Sequence, residues 1–465
     1  MKNQAKLEIE INTETEKDRT AMENRDKIID VENKIKNYYA KCRILGKVPV
    51  RLMVYGYEAV VVKSSYKDKN LTIPDFVGKI ADKAFLNNEN IGDVKIPEGV
   101  RHIGRGAFGG CTELERIHIG DSVVDMGTET FHECKSLYDI RLPSNIKELS
   151  ELIFNGCESL EKIELPYELQ SIGFRAFSDC MRLESIDIPD SVKYIGARAF
   201  YKCTNLETVR LPNKLEVIEE GCFLLCIRLK DIEIPSSVRV IKCNAFSNCN
   251  RLKSIVIPSN VEIIENDAFR DCETLENITI EDGVEKISSN AFMRCSSLSN
   301  IRIPGTVKVI GDKAFKCCDN LKMVHIEEGV EILGDKAFRV CAQLEHVNLP
   351  DSIRSMGDVI FGECTRLKSI ALPDGIQEIP DFAFNNCFLL NKVYIGRNVN
   401  KIGEFAFNNT AIREIDMSKQ RVNIMKNAFN MCKYLKHIKL NKANMSDNYT
   451  ANYLGCNENV EIHYI

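Results

Sequence analysis

A phenylalanine returns every 23 residues along most of this chain, at Phe85, Phe108, Phe131, Phe154, Phe177, Phe200 and onward to Phe407, with Phe429 after an interval of 22. Fourteen equal intervals in succession describe a stack of equivalent units, not a globule around one core. A length of 465 residues would otherwise suggest several domains, but a solenoid lengthens without enlarging its core. The regular positions are committed to packing, so function falls to the positions that point outward.

Counted from its Phe, one unit has a fixed grammar. Ala commonly precedes the Phe, as at Ala107, Ala176 and Ala245. Cys follows at three (Cys111 through Cys387 without a break, then Cys432) and Leu at six, as at Leu114 and Leu183. Branched apolar residues come at nine and eleven, as at Ile186 and Ile188, and Pro often at twelve, as at Pro189. A second apolar pair follows at fifteen and eighteen (Val192 and Ile195), and Gly often at nineteen (Gly196, Gly311). Positions nine and eleven lie on one face of a short strand, which Pro ends because it has no N–H for the next rung. The Phe, Cys and Leu spacing predicts a short helical turn with one inward face.

Strand on one side and helical turn on the other is the leucine-rich repeat unit, and Leu183-x-x-Ile186-x-Ile188 fits its signature. The expected fold is an α/β solenoid: a right-handed superhelix of about 16 repeats, with a parallel sheet on the concave face and helical turns on the convex face. Its expected span is 71–440. Ahead of it come a flexible charged tail (1–20, since 17 of the first 36 residues are charged), a helix (21–45) and a capping hairpin (46–70); a C-terminal cap occupies 441–465. The helix carries a heptad stripe of Ile28, Val31, Ile35, Tyr38, Cys42 and Leu45. It reads as a cap on the open end of the stack, with a short coiled-coil dimer as the alternative.

The string Ile195-Gly196-Ala197-Arg198-Ala199-Phe200-Tyr201-Lys202-Cys203-Thr204-Asn205-Leu206-Glu207-Thr208-Val209-Arg210-Leu211-Pro212 closely resembles the BspA-like leucine-rich repeat family. The likeness covers about residues 71 to 440. It implies protein binding, because the family occurs as surface antigens and adhesins of bacteria and some protists. The first residues, Met1-Lys2-Asn3-Gln4-Ala5-Lys6, show no secretory apolar run, and no stretch approaches the ~20 apolar residues a membrane helix needs. The expectation is a cytoplasmic protein without membrane insertion; the alternative is the cell surface or a leaderless export route.

A net charge of −5 gives no field that would favour nucleic acid. Nineteen cysteines outside a secretory context read as reduced thiols. Fourteen of them form the ladder. Parallel rungs lie ~4.7–4.9 Å apart, beyond disulfide reach. A straight row cannot surround a tetrahedral metal ion. Cys42, Cys222, Cys243, Cys317 and Cys456 stand off the ladder. The glycines around Gly104 to Gly110 mimic a phosphate loop but lack the strand and long helix of a dinucleotide site. The expectation is a chain with no catalytic residues, no metal and no cofactor.

Outward strand positions fall eight and ten after each Phe and form two rows. From Ser254 to Ala371 twelve such positions carry one charge, Arg302, whereas the other twenty carry fifteen. Charge depletion with Met and Arg characterises interface cores. The candidate partner-binding residues are therefore Asn300, Arg302, Met323, His325, His346 and Asn348, with Tyr394 as an aromatic anchor beyond the edge.

Overall fold

The computed structural model describes residues 2–465 except Gly46, Val48, Pro49, Ser65 and Asn448; the side chains of residues 2–19 also lie outside the description. The chain divides into two compact units, Met1–Leu183 and Glu184–Ile465, each built from the same coil. Together they comprise about 18 turns of ~23 residues, against the sixteen expected. The Phe count misses coils in which another residue holds the packing position. In the last coil Leu454 stands where earlier coils carry the Ala, since the Phe429 amide donates to its carbonyl as the Phe407 amide does to Ala428, so Gly455 takes the place of the Phe.

The first wall of the coils is the expected strand, except at Lys162–Glu164, where no strand forms. In the first unit Asn70–Thr72, Asp93–Ile96, Arg116–Ile119 and Asp139–Arg141 pair in parallel, in register at the 23-residue step. In the second unit Asn300–Ile303, Met323–Ile326 and His346–Asn348 do the same. Burial alternates along them as period two demands: Ile301 and Ile303 are buried while Asn300 and Arg302 are exposed.

A second wall was not anticipated as strand. The apolar residue at eighteen closes a two-residue strand at seventeen and eighteen, and these stack into their own parallel ladder, seven strands deep from Val217–Ile218 to Ser355–Met356. Two residues are too few for alternation to show in a sequence.

The third wall carries the Phe. The segment expected as a short helical turn forms consecutive tight turns. The residues two before and two after each Phe take positive φ, as at Lys83 (56°) and Asn87 (57°). Amides then alternate in use. Lys83, Phe85 and Asn87 donate to the next coil at Arg105, Ala107 and Gly109, while Ala84, Leu86 and Asn88 donate three residues back. An α-helix would direct all its N–H groups along its own axis and leave none for the neighbouring coil. The Phe rings stack with centroids 5.1–5.8 Å apart from Phe85 to Phe177. In the second unit, from Phe200 to Phe429, the spacing is 5.1–5.7 Å. All are buried.

At the N-terminus one helix, α1 (Lys2–Ile44), carries helical backbone through the stretch expected to be a tail. Its stripe residues Ile35 and Cys42 are buried, and the Tyr38 and Tyr39 hydroxyls accept from the Val50 and Leu52 amides. The stripe a coiled-coil dimer would need thus turns toward the hairpin of β1 (Leu52–Tyr55) and β2 (Glu58–Val61). That hairpin joins the second-wall ladder through Val77–Ile80. At the other end Asn444 is buried and its side chain both accepts from and donates to the Val422 backbone. The Tyr449 hydroxyl accepts from the Ile424 amide. These side chains satisfy backbone groups of the edge strand in the way a neighbouring strand would. The final strand, Glu461–Tyr464, pairs in parallel with His437–Leu440.

Candidate functional site

The two outward rows stand where the strand period places them. Asn300, Met323 and His346 are direct register partners, as are Arg302, His325 and Asn348. All six are exposed, so the structure brings six of the seven candidates onto adjoining rungs. Tyr394 pairs with Ala371 in a separate two-stranded ladder, Ser369–Ala371 with Lys392–Tyr394. It is the most exposed large apolar residue of this region at 63%, with Val256 at 51% and Met323 at 48%.

Arg302 is not the free cation its place in the row suggests. Its guanidinium donates in bidentate fashion to Glu327 at 2.6 and 2.9 Å and again to Asp282 at 3.1 Å. These hydrogen bonds, with Glu327 first, hold it still more firmly charged. The local charge is nevertheless balanced, because both carboxylates lie in the turns that border the strands. Asn348 also turns inward, its amide donating to the Ile326 carbonyl at 3.3 Å. What remains to meet a partner is Met323, the two imidazoles and Asn300.

Outside this stretch the face is charged and in part internally paired. Arg210 bridges Asp187 and Asp190, and Arg116 binds Asp93 at 2.6 Å. Shallow depressions open over both of those regions.

The ladder cysteines are buried free thiols. Within each unit the thiols donate to the carbonyl of the Phe one coil back, as Cys111 does to Phe85 at 3.2 Å and Cys272 to Phe246 at 3.1 Å. Burial pushes Cys111, Cys272 and Cys387 up to about 12, the opposite of an activated nucleophile. Cys243 is partly exposed, but its thiol faces the Glu265 carboxylate at 3.1 Å. Burial, that hydrogen bond and that charge all raise its pKa.

Sequence reading did not bring together His437, Glu461 and His463. Their donor atoms crowd one another at the C-terminal edge. The only hint in the sequence was that Val460 to His463 continues the strand phase.

This architecture defines a leucine-rich repeat solenoid. The chain belongs to the BspA type leucine-rich repeat family, which matches residues 63–180, 125–253, 240–368 and 354–457. Among solved structures it is similar to a leucine-rich repeat protein from Bacteroides ovatus. The two are 25% identical with a TM-score of 0.61, over 90% of this chain and 98% of that one. It is also similar to a leucine-rich cell surface protein from Faecalibacterium prausnitzii, at 25% identity and a TM-score of 0.39, over 84% of this chain and 92% of that one. A search of curated proteins returned no match. Among the described residues no helix is long and apolar enough to cross a membrane.

Proposed function

We propose that the chain is a protein-binding scaffold without catalytic activity, which docks a protein or peptide on the strand face between Ser254 and Ala371. The observation that carries this reading is the charge gap. Twelve outward positions hold one charge, and Glu327 and Asp282 already neutralise it. A surface of this composition loses little on desolvation, and exposed Met and Tyr supply anchor area. Met323, His325, His346 and Asn300 form the centre, with Tyr394 at the margin. Arg302 and Asn348 border the contact and order its rim.

The test is a pull-down with the full chain, followed by affinity measurement on variants. Met323→Glu should abolish binding and leave the melting temperature unchanged, while Arg302→Ala should weaken it less, since that cation is already paired. Undiminished affinity in Met323→Glu would show that the partner sits elsewhere. This reading places the scaffold in the cytoplasm. A second reading, supported by the family's surface antigens, turns the same face toward extracellular proteins. Protease shaving of intact cells separates the two.

A further inference from the structure

We propose that His437, Glu461 and His463 form a binding site for one divalent transition-metal ion, zinc before others, at the C-terminal end of the strand face. His437 Nδ1 lies 3.3 Å from His463 Nε2 and 3.2 Å from a Glu461 carboxylate oxygen, which is itself 3.3 Å from His463 Nε2. The three donor atoms form a nearly equilateral triangle. In a tetrahedral zinc site with bonds of ~2.0–2.1 Å, neighbouring donors stand ~3.3–3.4 Å apart, so the triangle matches one face of that tetrahedron. Two imidazoles and a carboxylate also favour zinc and its neighbours over calcium or magnesium, which prefer oxygen donors.

Hydrogen bonding explains the triangle less well. Each neutral imidazole carries one N–H. If both point at Glu461, two donors are left facing each other along the third edge. If one turns away, an edge has no proton. A cation in the centre satisfies all three edges.

The backbone pre-positions the group. His437 and Glu461 are direct register partners, and His463 is two residues on, on the same face. The pairing is held at both ends, by the Glu461 amide to the Lys436 carbonyl at 2.9 Å and the Ile465 amide to the Leu440 carbonyl at 2.8 Å. Lys439, the nearest cation on the strand, leans away toward Glu414 at 3.6 Å. Glu461 and His463 continue the two outward rows, so the bound ion faces the same side as the rest of the strand face. Three protein ligands leave the fourth corner for water or an incoming donor. The ion would also tie the edge strand Glu461–Tyr464 to the strand beneath it.

The experiment uses the full chain, with any affinity tag removed and metal stripped by a chelator. Zn2+ is titrated against a chromophoric competitor, and Co2+ serves as a second probe through its intense four-coordinate visible bands. One ion per chain is expected. His463→Ala and Glu461→Gln should each weaken binding by more than about tenfold, since even outer-shell partners are worth ~10–100-fold. Glu461→Asp keeps the charge but shortens its reach, and should show the same direction of loss should either of the others fail to fold. Replacing Cys243, Cys317 and Cys456 together with Ser should leave the affinity unchanged. No stoichiometric binding would overturn the proposal, as would affinity unaltered by the His and Glu changes or lost with the thiols.

Discussion

Phe246 has no exposed surface and lies between Phe223 and Phe269, with ring centroids 5.4 and 5.1 Å away. Truncation to Ala removes two stacking contacts at once and leaves a cavity that flanking coils cannot close, because their backbones are hydrogen-bonded at fixed spacing. Phe246→Ala should cost ~3–5 kcal/mol in urea denaturation. A loss under ~1 kcal/mol would mean that the column can collapse. The ladder Cys was legible as a small buried residue, but its reason was not. The thiol supplies a weak donor to a Phe carbonyl in the neighbouring coil, and nothing in a linear sequence marks which carbonyl needs one. Cys243 gives a pH-dependent test. Burial first and then Glu265 hold its pKa up, so less thiolate exists at a given pH. Glu265→Gln should lower that pKa, speed iodoacetamide alkylation of Cys243 and move its pH–rate profile to lower pH. An unchanged profile would mean that burial alone sets its reactivity.

Glycine separates two kinds of demand within a coil. Gly106 has φ of +57°, yet the equivalent positions Lys83, Glu129 and Arg198 adopt the same conformation with side chains. An added Cβ there meets nothing closer than 3.7 Å. Gly311, nineteen after Phe292, has an ordinary φ but no room. A Cβ would lie 2.7 Å from the Ser288 carbonyl carbon and the Ser289 nitrogen, which are backbone of the preceding coil. Gly106→Ala should therefore cost no more than about 1 kcal/mol, and Gly311→Ala at least about 1–3 kcal/mol, in thermal or urea melts. The reverse order would refute this account. The sequence marked position nineteen only as a recurrent glycine. Close approach between coils is what the position needs, and that is a property of two coils, not of one.

Registers at the 23-residue step make each coil a removable unit. Asn300 and Met323 are register partners, so excising 300–322 joins equivalent positions and keeps every inward side chain inward. That variant should keep its strand circular dichroism and cooperative melting, because each coil contacts only its neighbours. Excising 300–311 would break the phase and should yield an unfolded or aggregating chain. If both deletions behave alike, the in-register stack is wrong.

Burial writes itself into residue choice. Phe, Cys, Leu and the branched positions recur because each must fill the same space in every coil, so the repeat length, the first strand and the outward rows could be read from the chain. The second strand, the tight turns in place of helix and the use of each outward group depended on the neighbouring coil. Arg302 is neutralised by residues 20 and 25 positions away, and His437 meets His463 across 26 positions where the repeat would supply 23. Contacts between coils select partners by distance across the stack, and exposed positions carry no periodic signature of whom they meet.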